Sequence, residues 1–206
     1  RRFLTDRGSL KSMIRLLATS RSFRLDHRPT PQAAQKDPEN RLLSRFSVRR
    51  LEAEAIRDGM LALGGRLDPA LEGPPVDGAS QRRSVYLRVL RNNLDPFLSA
   101  FDFPVPSTCR GQRDATNVPA QSLGLLNDPL VGRWAGDWAQ KLLKDARWSD
   151  LELRLQRLFR EAYGRPPSGK ELALAKEHLA QAGDPAAAWR SLALTLLNTK
   201  EFIHVR

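Results

Sequence analysis

Seven residues between positions 83 and 127 carry the side chains with which proteins hold carboxylates, phosphates and sugars: Arg83, Arg91, Asp102, Arg113, Thr116, Gln121 and Asn127. Guanidinium forks pair with planar anions through two parallel N–H bonds. A carboxylate, a hydroxyl and two amides beside them add donors and acceptors suited to a sugar. The same inventory serves a second purpose equally well. Long irregular segments leave backbone groups that arginines satisfy, and buried polar groups need partners. Spacing alone leaves both readings open.

Patterns for bond-making chemistry are thin. Glu52 and Glu54 lie two apart on an expected helix and so face different sides, a poor arrangement for a carboxylate pair. Asp102 and Asp114 can pair only if the fold unites them. Cys109 is the single cysteine, so the chain forms no internal disulfide. It sits beside Arg110 and Arg113, which would lower its pKa if it is exposed. No histidine is near it in sequence to act as a base, and it reads as a structural or incidental thiol. His27, His178 and His204 are far apart, and no zinc spacing occurs, so no metal site is expected. Cys-x-x-Cys-His, a Gly-rich phosphate loop and a nucleophile elbow are absent from the sequence, and no cofactor is expected in this chain.

These residues must be positioned by helices, and the helix punctuation is legible. Asp-Pro occurs at Asp37-Pro38, Asp68-Pro69, Asp95-Pro96, Asp128-Pro129 and Asp184-Pro185. An Asp side chain accepts from the free amides of a first turn, and Pro at the next position needs no amide partner. Four of these pairs are expected to open helices. Asp68-Pro69 follows Gly64 and Gly65 and reads as a turn. A first helix is expected over Ser9–Ser20, a loop over 28–35 around Pro29 and Pro31, and a long helix over Asn40–Leu63. In that helix Leu51, Ala55, Met60 and Leu63 would fall near one face, and Arg45, Arg49, Glu52 and Arg57 could reach i,i+4 neighbours. Leu67–Arg82 reads as irregular, and Ser84–Leu90 is the one strand candidate. Asp95–Phe101 should be a short helix.

The last third reads as a helical bundle. Trp134, Trp138 and Leu142 recur at i, i+4 and i+8; Leu151, Leu155, Leu158, Phe159 and Ala162 form the next stripe. Ser168 and Glu171 form a capping box ahead of Leu172, Ala175 and Leu179. Asp184-Pro185 opens a last helix burying Trp189, Leu192 and Leu196. The expected class is therefore mainly α, with extended Pro/Gly-rich loops in the N-terminal part. Residues 1–118 form a helical and irregular arginine-rich part and 119–206 a helical bundle, together one domain.

The 206 residues carry 34 Lys and Arg against 23 Asp and Glu, a net charge of +11. Only seven of the cations are lysine. Up to Val118 there are 21 basic and 13 acidic residues, and after it 13 and 10, so the excess lies in the first part. Such a balance permits binding to an anionic polymer, including nucleic acid. Nucleic acid is disfavoured, because acids intersperse the arginines and no aromatic-basic stacking motif occurs. No stretch is long and apolar enough to span a bilayer, and there is no secretory signal. The chain opens at Arg1 and reads as a piece of a longer protein.

Several segments are more specific than composition. They are Asp37-Pro-Glu-Asn-Arg41-Leu, Leu51-Glu-Ala-Glu-Ala-Ile-Arg57-Asp58, and Arg82-Arg83-Ser-Val-Tyr86-Leu-Arg-Val-Leu-Arg91-Asn92 continuing to Phe101-Asp102. Arg113-Asp-Ala-Thr116-Asn117-Val-Pro119-Ala-Gln121-Ser-Leu-Gly-Leu125-Leu126-Asn127-Asp128-Pro129 and the closing Leu-Leu-Asn198-Thr-Lys-Glu201-Phe202 complete the set. In order and spacing the chain resembles the planctomycete-type domain of unknown function 1553 over nearly its whole length. The resemblance implies the C-terminal part of a long secreted protein, often with a cytochrome-c-like module that carries haem elsewhere in the parent. It implies no reaction. Three functions follow as expectations: a structural or interaction module of an extracytoplasmic protein whose partners are its other domains; an enzyme or binding domain for an anionic or carbohydrate ligand; and nucleic-acid binding by the arginine-rich part.

Overall fold

Side-chain oxygens open seven of the helices in the computed structural model, which describes residues 1–109 and 111–205. The chain divides into two compact units, the first being Arg1–Arg49 with the C-terminal residues from His204, the second Arg50–Ile203. The fold is mainly α, and the named strands are two residues each, β1 (Arg49–Arg50) and β2 (His204–Val205), which form one sheet.

In the first unit, Ser9 caps α2 (Leu10–Ala18) by accepting from the Ser12 amide, close to the expected span. A short α1 (Arg2–Thr5) precedes it. The prolines of the expected loop instead start α3 (Pro31–Lys36), with Thr30 as cap and Pro31 in the first turn. Asp37 does not open a helix. It closes α3, and its carboxylate accepts from the Arg41 and Leu42 amides at 2.7 and 2.9 Å. The expected helix over Asn40–Leu63 is shorter by 13 residues, and α4 spans Ala53–Leu63. Asn40 and Leu43 lie in the left-handed region (φ 57° and 54°), a conformation that cannot continue an α-helix.

In the second unit α4 buries Ala53, Ile56, Arg57, Met60 and Leu61, whereas Ala55 is exposed. The stripe is thus rotated from the expected one, and Arg57 is buried within it. Its side chain is 1% exposed. The guanidinium donates to the carbonyls of Arg82 and Gly78, both at 3.0 Å, to the Ser80 carbonyl, and to Ser84 Oγ at 3.2 Å. Asp58 accepts from the Ser84 amide and hydroxyl at 2.8 and 2.6 Å. Two adjacent residues of α4 therefore gather an irregular loop that has no ladder of its own. Arg82 does the same from inside that loop, donating to Ala70 and Glu72 carbonyls with its guanidinium 3.9 Å from the Tyr86 ring centroid. The strand candidate Ser84–Leu90 is a 3₁₀ turn (Ser84–Tyr86) followed by single bridges, Val76 with Leu87 and Leu90 with Asn93.

Five helices follow: α5 (Pro96–Ala100), α6 (Pro119–Asn127), α7 (Pro129–Lys144), α8 (Leu151–Tyr163) and α9 (Gly169–Gln181). Next come α10 (Pro185–Leu197) and α11 (Lys200–Ile203). Asp95, Asp128 and Asp184 cap as expected. α10 packs on α7 more extensively than any other pair, burying Trp134, Trp138 and Leu142 against Trp189, Ala193 and Leu196. Among the described residues no helix is long and apolar enough to cross a membrane.

The Ser168–Glu171 capping box is present. Beyond it, Arg165 bridges Glu171 at 2.8 Å and Glu201 at 2.7 Å, tying α9 to α11. The Arg165 hydrogen bonds, aided by the Ser168 amide and hydroxyl and opposed by burial, lower the Glu171 pKa from about 4.5 to about 2. The folded state thus binds this proton less readily than the unfolded chain, so the stabilisation is present above pH 4.5 and disappears as pH falls toward 2. Water screens this partly exposed group, which leaves on the order of 1 kcal/mol. Denaturant melts should show Glu171→Gln less stable than wild type by that amount at neutral pH, the two curves meeting only as pH falls to about 2.

Candidate functional site

The end of α5 aims the one carboxylate of the seven-residue set. Asp95 accepts from the Leu98 amide at 3.0 Å, Pro96 occupies the first turn, and the helix stops at Phe101. Asp102 then takes φ 60°, left-handed backbone that Asp tolerates better than a branched residue. This turn carries its carboxylate to Arg50 Nη2 at 2.7 Å and to the Thr116 amide and hydroxyl at 2.8 and 2.9 Å. Arg50 continues inward, donating to the Phe101 carbonyl at 3.0 Å and the Thr116 carbonyl at 2.7 Å. Gln121, in the first turn of α6 and 3% exposed, donates to the Ala100 carbonyl at 3.1 Å and to Thr116 Oγ1 at 3.2 Å.

The network joins these side chains to one another and to the backbone, while Arg50 Nε is buried without a hydrogen-bond partner among the described residues. The Thr116 hydroxyl donates to Asp102 and accepts from Gln121, and the Arg50 fork covers three acceptors across two loop carbonyls and one carboxylate. Burial pushes the Asp102 carboxyl pKa up, but the Thr116 amide and hydroxyl and Arg50 outweigh it, holding the group below the ordinary Asp value. Asp102 is an anion held by fixed donors, with no call on a proton near neutral pH.

Arg113 stands beside this network on another partner set. Its Nη1 lies 2.8 Å from Glu54 and 3.3 Å from Glu52, and its guanidinium is 5.8 Å from the Phe103 ring centroid. The expectation that Glu52 and Glu54 face apart fails for a local reason. Glu52 is the residue before the first turn of α4, with extended backbone, so both carboxylates reach one cation. The Glu54 hydrogen bonds raise the Arg113 pKa against the opposing effect of burial.

Arg83, Arg91 and Asn127 are exposed, and among the described residues none of their side chains bonds to the Asp102 network. The structure thus joins Asp102, Thr116 and Gln121, brings Arg113 alongside, and leaves the other three apart. Two arginines that matter were missed. Arg50 offered no signal beyond a basic dipeptide, whereas Arg57-Asp58 lay inside one of the quoted motifs. Cys109 is exposed; Arg110, the neighbour expected to act on it, lies outside the described residues.

Two concavities accompany these groups. One, of about 430 Å³, lies along the loop after α5 and has Asp102, Phe103, Thr108, Arg113 and Asp114 in its wall. The other, of about 360 Å³, is walled by Phe159, Tyr163, Leu174, Leu192 and Leu196 of α8, α9 and α10. Burial pushes the Tyr163 phenol up to about 12, the Thr199 hydroxyl opposing and the Glu201 carboxylate adding to it. Among the described residues no three of His, Cys, Asp and Glu gather as a metal site would.

Comparison with known proteins adds one match. A family model described as a protein of unknown function (DUF1553) matches residues 1–179. No curated protein and no solved structure matches the chain. The motifs that surround Arg57, Asp102 and Thr116 and the span of that match lead to one placement: the chain belongs to the DUF1553 family.

Proposed function

We propose that the chain is a structural or interaction module of a larger extracytoplasmic bacterial protein, and that its partners are the other domains of that protein. The observation that carries this reading is the Arg50–Asp102–Thr116–Gln121 network, in which these side chains bond to one another and to the backbone between helices. The extracytoplasmic setting follows from the kind of long secreted protein in which such domains sit. Haem, where the parent has it, belongs to another module, since this chain has no Cys-x-x-Cys-His.

A second reading is favoured by the cleft that Asp102, Arg113 and Asp114 share: a site for an anionic or carbohydrate ligand. Calorimetric titration with glucuronate and with phosphate, alongside thermal melts, separates the two. The module reading expects neither probe to bind and Asp102→Asn to lower the melting temperature. Binding that Arg113→Gln abolishes at an unchanged melting temperature would displace it in favour of the ligand site.

A further inference from the structure

Residues 1–49 bury no apolar side chain. Asp37 is their one buried residue, while Leu4, Leu10, Ile14, Leu17, Leu42 and Leu43 are each 59–79% exposed. The backbone there is well satisfied by Ser9, Thr30, Asp37 and Asn40. Satisfied hydrogen bonds alone do not offset the conformational entropy of ordering such a segment; burial of apolar area must. Large apolar side chains exposed in this number on one unit point to an interaction surface.

The chemistry of the occupant follows from charge. Residues 1–49 hold 12 Arg and Lys against 4 Asp and Glu, whereas residues 50–118 hold 9 of each. Eight of the eleven net positive charges thus fall in residues 1–49, and ten of the twelve cations there are arginine. On α2, Leu10, Ile14 and Leu17 share a face at i, i+4 and i+7, with Lys11 and Arg15 at its flank. Further on, a groove of about 640 Å³ runs between Leu25, Leu42, Leu43 and Phe46, with Arg45 and Arg49 in its wall. Arg45 is engaged with the Asp37 and Pro38 carbonyls, and Arg49 lies over the Phe46 ring at 5.5 Å. Leu43 is an exposed leucine in left-handed backbone, a strained placement of an apolar side chain at the groove.

We propose that this unit docks a protein segment that carries carboxylates beside apolar side chains, an acidic amphipathic helix being the simplest form. Apolar knobs fill the groove and cover α2, and the exposed cations flanking α2, Lys11 and Arg15, pair with carboxylates. A concave groove suits inserted side chains better than a planar bilayer, and a second copy is opposed by the positive charge of this same unit. The proposal rests on the module reading and names the partner's chemistry.

The test uses the full chain and a labelled Leu/Glu amphipathic helical peptide, with a Leu/Lys peptide of the same pattern and phosphatidylglycerol vesicles as alternatives. Fluorescence anisotropy should show binding of the Leu/Glu peptide alone, weakened at least about tenfold by Ile14→Ser and by Leu43→Asn. Asn tolerates left-handed backbone, so Leu43→Asn should hold or raise the melting temperature while it weakens binding. No binding, equal binding of both peptides, preference for vesicles, or self-association in the centrifuge each overturns the proposal. None of these outcomes alters the Asp102→Asn melt on which the module reading stands.

Discussion

Arg57→Ala should lower the stability of the chain by about 3–5 kcal/mol, the range for breaking one side of a buried charged cluster. The reason lies in what the guanidinium holds. Three backbone carbonyls, of Gly78, Ser80 and Arg82, accept from it within a loop that has no regular ladder. Backbone acceptors cannot be substituted away, so every replacement of Arg57 strands them. Burial also pushes the Arg57 pKa down from its ordinary value, with Asp58 opposing, and removal of the cation leaves that carboxylate with the Ser84 donors alone. Arg57→Met fills the space against Trp134 but should recover less than half the loss, because volume is not what is missing. Arg57→Lys should be little better, since one ammonium cannot span the fork. Urea titrations followed by tryptophan fluorescence measure all three; a loss below about 1 kcal/mol for the Ala variant would falsify the assignment.

Asp102→Ala is expected to cost about 3–4 kcal/mol, on the order of 10 °C in melting temperature for a chain of this size. Arg50, with its side chain 5% exposed, would keep its charge and lose the carboxylate that lies 2.7 Å from it. The Thr116 amide and hydroxyl would lose their acceptor together. Strain at φ 60° offers a rival explanation that Gly separates cleanly. Asp102→Gly relieves the backbone without restoring the charge, so it should fall within about 1 kcal/mol of the Ala variant. Recovery to wild-type stability in the Gly variant would show that backbone geometry, rather than the ion pair, was at stake. Asp102→Asn keeps an acceptor oxygen and tolerates the conformation, and belongs between wild type and Ala.

Much of the helical scaffold was legible because its signals are local. Ser9, Asp95, Asp128, Ser168 and Asp184 cap helices where their spacing places them, and the Trp134–Trp138–Leu142 stripe is buried. The failures are also local in origin. Asp37-Pro38 has the same signature as the working caps, yet α3 already occupies the residues before it, and the carboxylate turns to the amides that follow. Val85, Val89 and Leu90 suggested a strand, but they are exposed, and the chain there is held at its start by Arg57 and Asp58 and beyond it by single bridges instead of a continuous ladder. The candidate site was half visible. Thr116 and Gln121 are close in sequence and met; Asp102 joined them across a turn. Arg50 reaches the Phe101 and Thr116 carbonyls from 51 and 66 residues away, and no periodicity reports a contact over that distance.

Those separations have a kinetic meaning. The Arg57 fork closes loops of 21 to 25 residues onto Gly78, Ser80 and Arg82, while Arg50 closes loops of 51 and 66. Bringing chain ends together costs about 0.6 kcal/mol more for each doubling of loop length. The Arg57 clasp therefore lies earlier on the route from coil to native chain. Mutations at it should slow refolding, whereas mutations at Asp102, whose contacts form once α5 and α6 have met, should chiefly hasten unfolding.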